Sequence, residues 1–560
     1  NVTLSQGDAL ADFLLGNLYQ STVAVAVANA NYVRNVEAAY VDDTYKFSPK
    51  LTISAGLRYE LTPPWNDTLG NNFNVAIPVV PPHNVTSSTI PMSQWPYYVR
   101  QGNCTPDHVY DGLAIRWTAS TVGNGPAPVC SNGVLPNGPL LDTQYKNFAP
   151  RLGISYSPNP SLVIRTGYGI FYNQDIANAY FDMARNIAGR VTATNSAGVA
   201  PYGNSNLTWA NAAPGGGGGI ANLPANTTAF SNAVSHKTTY AEQFLLNVQQ
   251  QVGKDWIFEA GYQGSVSRHL YGFINQNIAT PYGYVGNGTP TSVASRTPFA
   301  NMGGLQYVHD AGSGNYNAVS VKGTRHFGKG LSVIASYTFG KSLDDTSGVR
   351  SQGNDILFPQ DNRCLACDYG PSAFDVRNRF VASSLYDLPI GPNKLVPVNN
   401  KLLNALIGGW QVGGIFTHQT GAVATPQLGA DNSNIQGAGG NYDRPSATGI
   451  SPYFDASSRS LNDWVNKAAY KSAAPGFFGN VTRSSYTGPG FTNLDASLHK
   501  KFLMPYNEKH ELSIRFEAFN ALNHPNWNTP TLNFSSSTFG RITSTVNSMR
   551  QLQLAAKYQF

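Results

Sequence analysis

The residues best suited to chemistry are four cysteines in two local pairs, Cys104 with Cys130 and Cys364 with Cys367. Cys364-Leu365-Ala366-Cys367 has the CxxC spacing used by redox centres and by zinc sites. Structural zinc takes four ligands, and no further Cys or His lies near this pair. A loop disulfide or an opportunistic pair is the favoured reading. Cys104 and Cys130 are expected to close a second one, limiting the entropy of a long exposed segment. Even, local pairing of this kind belongs to an oxidising compartment. The ten His residues are dispersed, with no HExxH or HxH spacing, so no metal site is expected. Gly215-Gly216-Gly217-Gly218-Gly219 lacks the Lys-Ser/Thr pair of a phosphate loop and reads as a flexible loop. No nucleophile elbow stands out. Neither a catalytic residue nor a cofactor is expected, and the chain does not read as an enzyme.

What remains is a set of charges in unusual places: Arg58, Glu60, Arg165, Arg515 and Glu517. Each stands within a run of strict alternation. In one run Leu51, Ile53, Ala55, Leu57 and Tyr59 share a face, opposite Thr52, Ser54, Gly56, Arg58 and Glu60. Leu512, Ile514, Phe516 and Ala518 likewise oppose Ser513, Arg515 and Glu517. A period of two places such sets on opposite faces of a strand. The charges either contact a solute or another segment of protein, or pair across neighbouring strands and keep that face wet.

About fourteen segments of this kind run from residue 18 to residue 560, with boundaries good to a few residues. They lie near 18–29, 33–46, 50–61, 145–157, 161–173, 238–252, 255–265, 315–327, 330–341, 376–388, 408–420, 491–503, 509–520 and 549–560. Their connections alternate. Short turns fall at Ser48-Pro49, Pro158-Asn159-Pro160, Gly253-Lys254, Gly328-Lys329-Gly330 and Pro505-Tyr506-Asn507, and long polar stretches fall between them. This is the pattern of an all-β, up-and-down, transmembrane antiparallel β-barrel, with strands apolar outward and polar inward and long loops at one end. Lipid satisfies no backbone groups, so only helices or closed barrels span it. Tyr59, Tyr156, Tyr172, Trp256, Tyr337, Phe339, Tyr386 and Trp410 would supply the interfacial aromatics.

Composition agrees. The 560 residues are only 12% charged, against about 25% in soluble domains. The 37 basic and 31 acidic residues leave +6 spread thinly, which disfavours a nucleic-acid partner. The longest early apolar run, Val23-Ala24-Val25-Ala26-Val27-Ala28, is far short of the roughly 20 residues of a spanning helix. The chain starts at Asn1 without a leader, so a removed leader or a fragment is expected.

Several stretches resemble the TonB-dependent outer-membrane receptors of the Oar-like, acidobacterial type. They are Ala9-Leu10-Ala11-Asp12-Phe13-Leu14-Leu15-Gly16, Tyr40-Val41-Asp42-Asp43, Phe374-Asp375-Val376-Arg377-Asn378-Arg379-Phe380, Gly409-Trp410-Gln411-Val412-Gly413-Gly414 and Phe516-Glu517-Ala518-Phe519-Asn520-Ala521-Leu522-Asn523-His524-Pro525. The closing Tyr558 and Phe560 resemble the C-terminal signal read by the barrel assembly machinery. The resemblance implies a longer protein with a plug and TonB box ahead of a 22-stranded barrel. Residues 1–560 would be its C-terminal barrel portion, either part of the larger barrel or closing as a smaller one. It also implies a bacterial outer-membrane location, lipid and the TonB complex as partners, and uptake of a scarce solute (an oligosaccharide, peptide or metal chelate).

Two other functions fit less well. The same barrel could serve as a passive pore or surface adhesin. A secreted carbohydrate-binding or carbohydrate-cleaving β protein would need paired carboxylates if it cleaved, and acidic residues are scarce. Loop aromatics such as Trp95, Tyr97, Tyr98, Trp117 and Trp209 could stack on sugar rings or pack the loops against each other.

Overall fold

A computed structural model describes residues 14, 20–25, 31–69, 72–77, 90–91, 95–100, 113–116, 129–130, 140–173, 178–186, 191–196, 228–285, 290–299, 302–328, 330–348, 358–435, 443–504 and 507–560. Thirteen long strands make one sheet: β1 (Glu37–Ser48), β2 (Leu51–Leu61), β3 (Phe148–Asn159), β4 (Leu162–Tyr172), β5 (Tyr240–Val252), β6 (Trp256–Asn275), β7 (Leu305–Gly328), β8 (Leu331–Asp344), β9 (Asn378–Asp387), β10 (Trp410–Gln419), β11 (Phe491–Met504), β12 (Asn507–Phe519) and β13 (Gln551–Gln559). Their spatial order is their chain order, and every neighbouring pair is antiparallel. Two short strands, Ala229–Asn232 and Gly370–Pro371, join β7 and β8 at the margin. Among the described residues β1 and β13 do not pair with each other.

The alternation of short and long connections follows from this order. Residues 49–50, 160–161, 253–255, 329–330, 388–409 and 505–506 connect strands at one end. Residues 62–147, 173–239, 276–304, 345–377, 420–490 and 520–550 connect them at the other. Gly253 and Gly330 have φ of 64° and 77° in two of the tight turns, a left-handed backbone that a Cβ disfavours. The connection 388–409 carries a short helix, Lys401–Ile407.

Directly paired residues share a face, so the register can be followed strand by strand. Arg58 pairs with Ala149, Ser155 with Arg165, Arg165 with Asn247 and Asn247 with Gly261. The same face continues through Ser320, Thr338, Arg379 and Gln419, then through Ser497 to Glu517. Arg58, Glu60, Arg165, Arg515 and Glu517 thus lie on one polar face of the whole sheet. The opposite face carries Leu57, Leu152, Leu246, Tyr262, Val319, Tyr337, Phe380, Phe416 and Leu494 in unbroken register. The eight aromatics expected at the interfaces all sit on this apolar face. Tyr156, Trp256, Tyr386 and Trp410 are toward the short turns, and Tyr59 and Tyr172 are toward the long connections.

Burial is concentrated away from the sheet. Leu246, Phe258, Val319, Val321, Tyr337 and Leu554 of the apolar face are exposed, an apolar surface far larger than water tolerates. The packed cores lie among the long connections. One joins Val465, Tyr470, Val481 and Tyr486 of 420–490 to Leu532 of 520–550. Another joins Leu140 and Leu141 to Tyr180 and Met183.

Two expectations need correction. Of the alternating segment at 18–29, the described residues Gln20–Val25 do not join the main sheet but pair with Val191–Ser196 in a separate two-stranded sheet. Alternation identifies a strand but does not name its partner, and a run of Val and Ala carries little register information. Strands β6 and β7 also run well past the expected 255–265 and 315–327. A tilted membrane strand needs roughly 9–11 residues, so their far halves extend beyond that span, where Phe273 and Val308 pack on Phe358.

Candidate functional site

The extension of β6 and β7 walls a cavity of about 600 Å³ on the polar face, at the end of the long connections. Its floor is sheet: Gln263 and Ser265 from β6, Tyr316 from β7, Thr338 and Ser342 from β8, and Arg379 from β9. Alternation alone delivers these side chains, because each stands on the face shared with Arg165 and Glu517. Tyr271 from the β6 extension and Thr346, Ser347, Phe374 and Asp375 from residues 345–377 close the sides.

Two carboxylates of the wall are held in place. Asp344 accepts from Arg483 Nη1 at 2.8 Å and from Ser347 Oγ at 2.9 Å. Asp375 accepts from the Ser342 amide at 2.7 Å and lies 3.8 Å from Arg377. Beside them, Asp345 takes the Ser313 amide at 2.8 Å and the Ser313 hydroxyl at 3.1 Å. Burial raises the Asp345 carboxyl above its ordinary range, and the two Ser313 bonds oppose that rise. The Arg379 side chain is exposed and has no hydrogen-bond or ion-pair partner among the described residues. The cavity therefore offers hydroxyls, amides, aromatic rings and one uncommitted guanidinium. That set can bind a polar, hydroxyl-bearing solute; it holds no activated nucleophile.

A second buried ion pair joins residues 345–377 to residues 420–490. Arg444 Nη2 donates to Asp368 Oδ1 at 2.6 Å. Asp368 ends the turn Leu365–Asp368, and Cys364 and Cys367 at that turn are joined by a disulfide with Cα atoms 5.3 Å apart. The pairs Asp344–Arg483 and Asp368–Arg444 were not foreseen from the sequence. Their partners are 139 and 76 residues apart; Asp344 ends β8 while Asp368, Arg444 and Arg483 stand in loops without periodicity, and no local signal joins them.

The five strand charges share a face but do not form one cluster. Arg58 Nε meets Glu60 Oε1 at 2.5 Å, and Arg515 Nη1 meets Glu517 Oε1 at 3.4 Å. Both pairs run along one strand rather than across strands, because residues two apart share a face and a long Arg spans the gap. Arg165 donates to Gln249 Oε1 at 2.8 Å across to β5. At the C-terminus the Tyr558 hydroxyl and His510 Nδ1 are 2.6 Å apart, and Phe560 is almost fully exposed. Trp95 is buried against Phe299 and donates to the Ile90 carbonyl at 3.1 Å, so it packs loops rather than presenting a ring. Cys104, Trp117 and Trp209 lie outside the described residues, as does any Cys104–Cys130 bond. Among the described residues no group of three or more His, Cys, Asp or Glu could hold a metal. No described helix is long and apolar enough to cross a membrane.

Comparison with known proteins gives three results. A family model described as an outer membrane beta-barrel domain matches residues 1–553. No curated protein matches the sequence. Among solved structures, the outer membrane transporter YddB from Escherichia coli is similar at 11% identity and TM-score 0.43, covering 93% of this chain and 53% of that one. The siderophore receptor PiuA from Acinetobacter baumannii is similar at 10% identity and TM-score 0.40, covering 94% and 43%. The FrpB iron transporter from Neisseria meningitidis is similar at 10% identity and TM-score 0.38, covering 94% and 46%. The chain spans about half the length of these structures.

Proposed function

The chain belongs to the outer membrane beta-barrel domain family, and from that premise we propose that it is the barrel portion of a TonB-dependent receptor that takes up a scarce polar solute. The barrel lies in the bacterial outer membrane, and its apolar face meets lipid. The long connections face outward and the short turns face the periplasm, as in barrels of this kind. The polar face forms the lumen wall, with Arg58, Glu60, Arg165, Arg515 and Glu517 keeping it wet. The observation that carries the reading is the cavity of about 600 Å³ on that face, at the loop end.

Its lining favours an oligosaccharide among the solute classes considered. Ser265, Thr338, Ser342 and Ser347 supply hydroxyls, Gln263 an amide, and Tyr271, Tyr316 and Phe374 rings for the apolar faces of sugars. TonB dependence, the plug and the Oar-like membership rest on the resemblance of stretches such as Phe374–Phe380 and Phe516–Pro525.

Uptake of labelled oligosaccharides by cells expressing the full-length protein tests the proposal, with and without a working TonB complex. Uptake that disappears without TonB supports it. Uptake that persists makes the barrel a passive pore, and no uptake or binding of any solute favours an adhesin.

A further inference from the structure

Between β9 and β10 the short-turn end carries an unusual surface. Leu402, Leu406 and Leu395 are 80%, 70% and 85% exposed, and Leu403, Val396 and Ile407 are exposed too. In the helix Lys401–Ile407 the four large apolar residues stand at 402, 403, 406 and 407. That spacing puts them on one arc, with Asn404 and Ala405 opposite.

The helix is fastened to the apolar face of the sheet, not to the lumen face. Lys500 pairs with Trp410 and Ile514, beside the pair Leu498–Val412, and so belongs to the apolar face. Its ammonium donates to the Ala405 carbonyl at 2.6 Å and to the Asn404 carbonyl at 3.4 Å. The same ammonium lies 5.6 Å from the Trp410 ring centroid and 4.8 Å from that of Phe502. Trp410 Nε1 donates to the Leu406 carbonyl at 2.8 Å. The Asn404 carbonyl also accepts from the Gly408 amide at 2.9 Å, while the Ala405 and Leu406 carbonyls, which would otherwise be orphaned next to lipid, are met by a cation and an indole. Lys500 is only 4% exposed, so this apolar face carries a charge there without offering it to lipid.

We propose that the helix Lys401–Ile407 with Leu395 is an interfacial anchor, seated in the phospholipid leaflet at the periplasmic side of the barrel. The occupant follows from continuity: the leucines extend the lipid-facing surface of β9–β11 at the level of Trp410 and Tyr386. Amphipathic helices settle at that depth, with their apolar face in the headgroup and acyl boundary. Lys401 and Lys394 are exposed beside them, suited to phospholipid phosphates. The inference rests on the membrane reading of the barrel.

Photo-crosslinking separates the two. The full-length protein is folded into phosphatidylethanolamine and phosphatidylglycerol vesicles with p-benzoylphenylalanine at position 402, 412 or 415. Val412 lies on the apolar face and Ile415 on the polar face. Lipid adducts at 402 and 412, and their loss at 415, are expected. An adduct at 412 but none at 402, or a 402 adduct to protein, overturns the anchor and leaves the barrel standing. No lipid adduct at 412 overturns the membrane reading itself.

Discussion

Arg483 donates to the carboxylate of Asp344 at 2.8 Å, across 139 residues of chain, with both side chains nearly shielded from water. The same guanidinium reaches the Asp344 carbonyl at 2.9 Å and Ser347 Oγ at 2.6 Å. It therefore pins the connection 420–490 to the end of β8, at the rim of the cavity. Removing one partner of a buried pair costs about 3–5 kcal/mol, because the other charge is stranded. Arg483→Ala is expected to open this loop to limited proteolysis while the barrel keeps its heat-modifiable migration on gels. Arg483→Met with Asp344→Leu, which strands no charge, is expected to recover much of the protection. Equal protease resistance in Arg483→Ala and the parent would remove the bracing role.

Arg379 is the uncommitted cation of the cavity, so its substitution separates ligand contact from folding. Arg379→Ala is expected to weaken solute binding about tenfold or more, as for loss of a charged hydrogen bond worth roughly 1.5–3 kcal/mol. Arg379→Lys keeps charge but not the planar fork, and should recover only part. Titration calorimetry on the refolded protein reads both. Unchanged affinity in Arg379→Ala would place the solute elsewhere.

Asp443 is expected to make one loop sensitive to pH. It is buried and accepts from the Ser433 amide at 2.7 Å and the Ser433 hydroxyl at 2.8 Å. Burial raises its carboxyl above the ordinary range, the Ser433 bonds pull it back, and the charge of Asp431 adds to the rise. The closed loop thus keeps its proton to higher pH than the opened loop does. Closure is firmest below the opened-state value, about 3.9 for Asp, and weakens as pH rises through the raised one. Asp443→Asn should flatten this dependence. Amide exchange at Leu428 and Ser433, corrected for the intrinsic rate, is the readout. A parent profile as flat as the Asn profile would contradict it.

Much of the architecture was legible because a membrane strand must satisfy two solvents. Leu51–Glu60 and Leu512–Ala518 alternate strictly for that reason, and the register confirms that their polar residues share one face. The tight turns were legible through Gly253 and Gly330, whose backbone suits few other residues. The loop end was not. Phe273, Val308 and Phe358 meet in a small core with no periodic signature. Cavity residues such as Thr346 and Phe374 are ordinary loop residues until β6 and β7 extend to meet them. Arg379 stood inside the resembled stretch Phe374–Phe380, yet nothing local marks it as the uncommitted one.

The two faces of β7 give the most direct test of which side meets lipid. Val319 pairs with Tyr262 and Phe339 on the apolar face, whereas its neighbour Ser320 pairs with Gly261 and Thr338 on the polar face. A Lys or Arg at the midplane of a lipid face costs about 2–4 kcal/mol, and one in a wet lumen costs little. Val319→Lys is therefore expected to lower folding stability in vesicles by that amount, while Ser320→Lys should leave it nearly unchanged. Both positions lie at the same height on one strand, so local strand propensity and depth are matched. Denaturant titration followed by gel mobility measures the difference. Equal losses at 319 and 320, or a larger loss at 320, would reverse the assignment of lumen and lipid across the whole sheet, because one register links every strand.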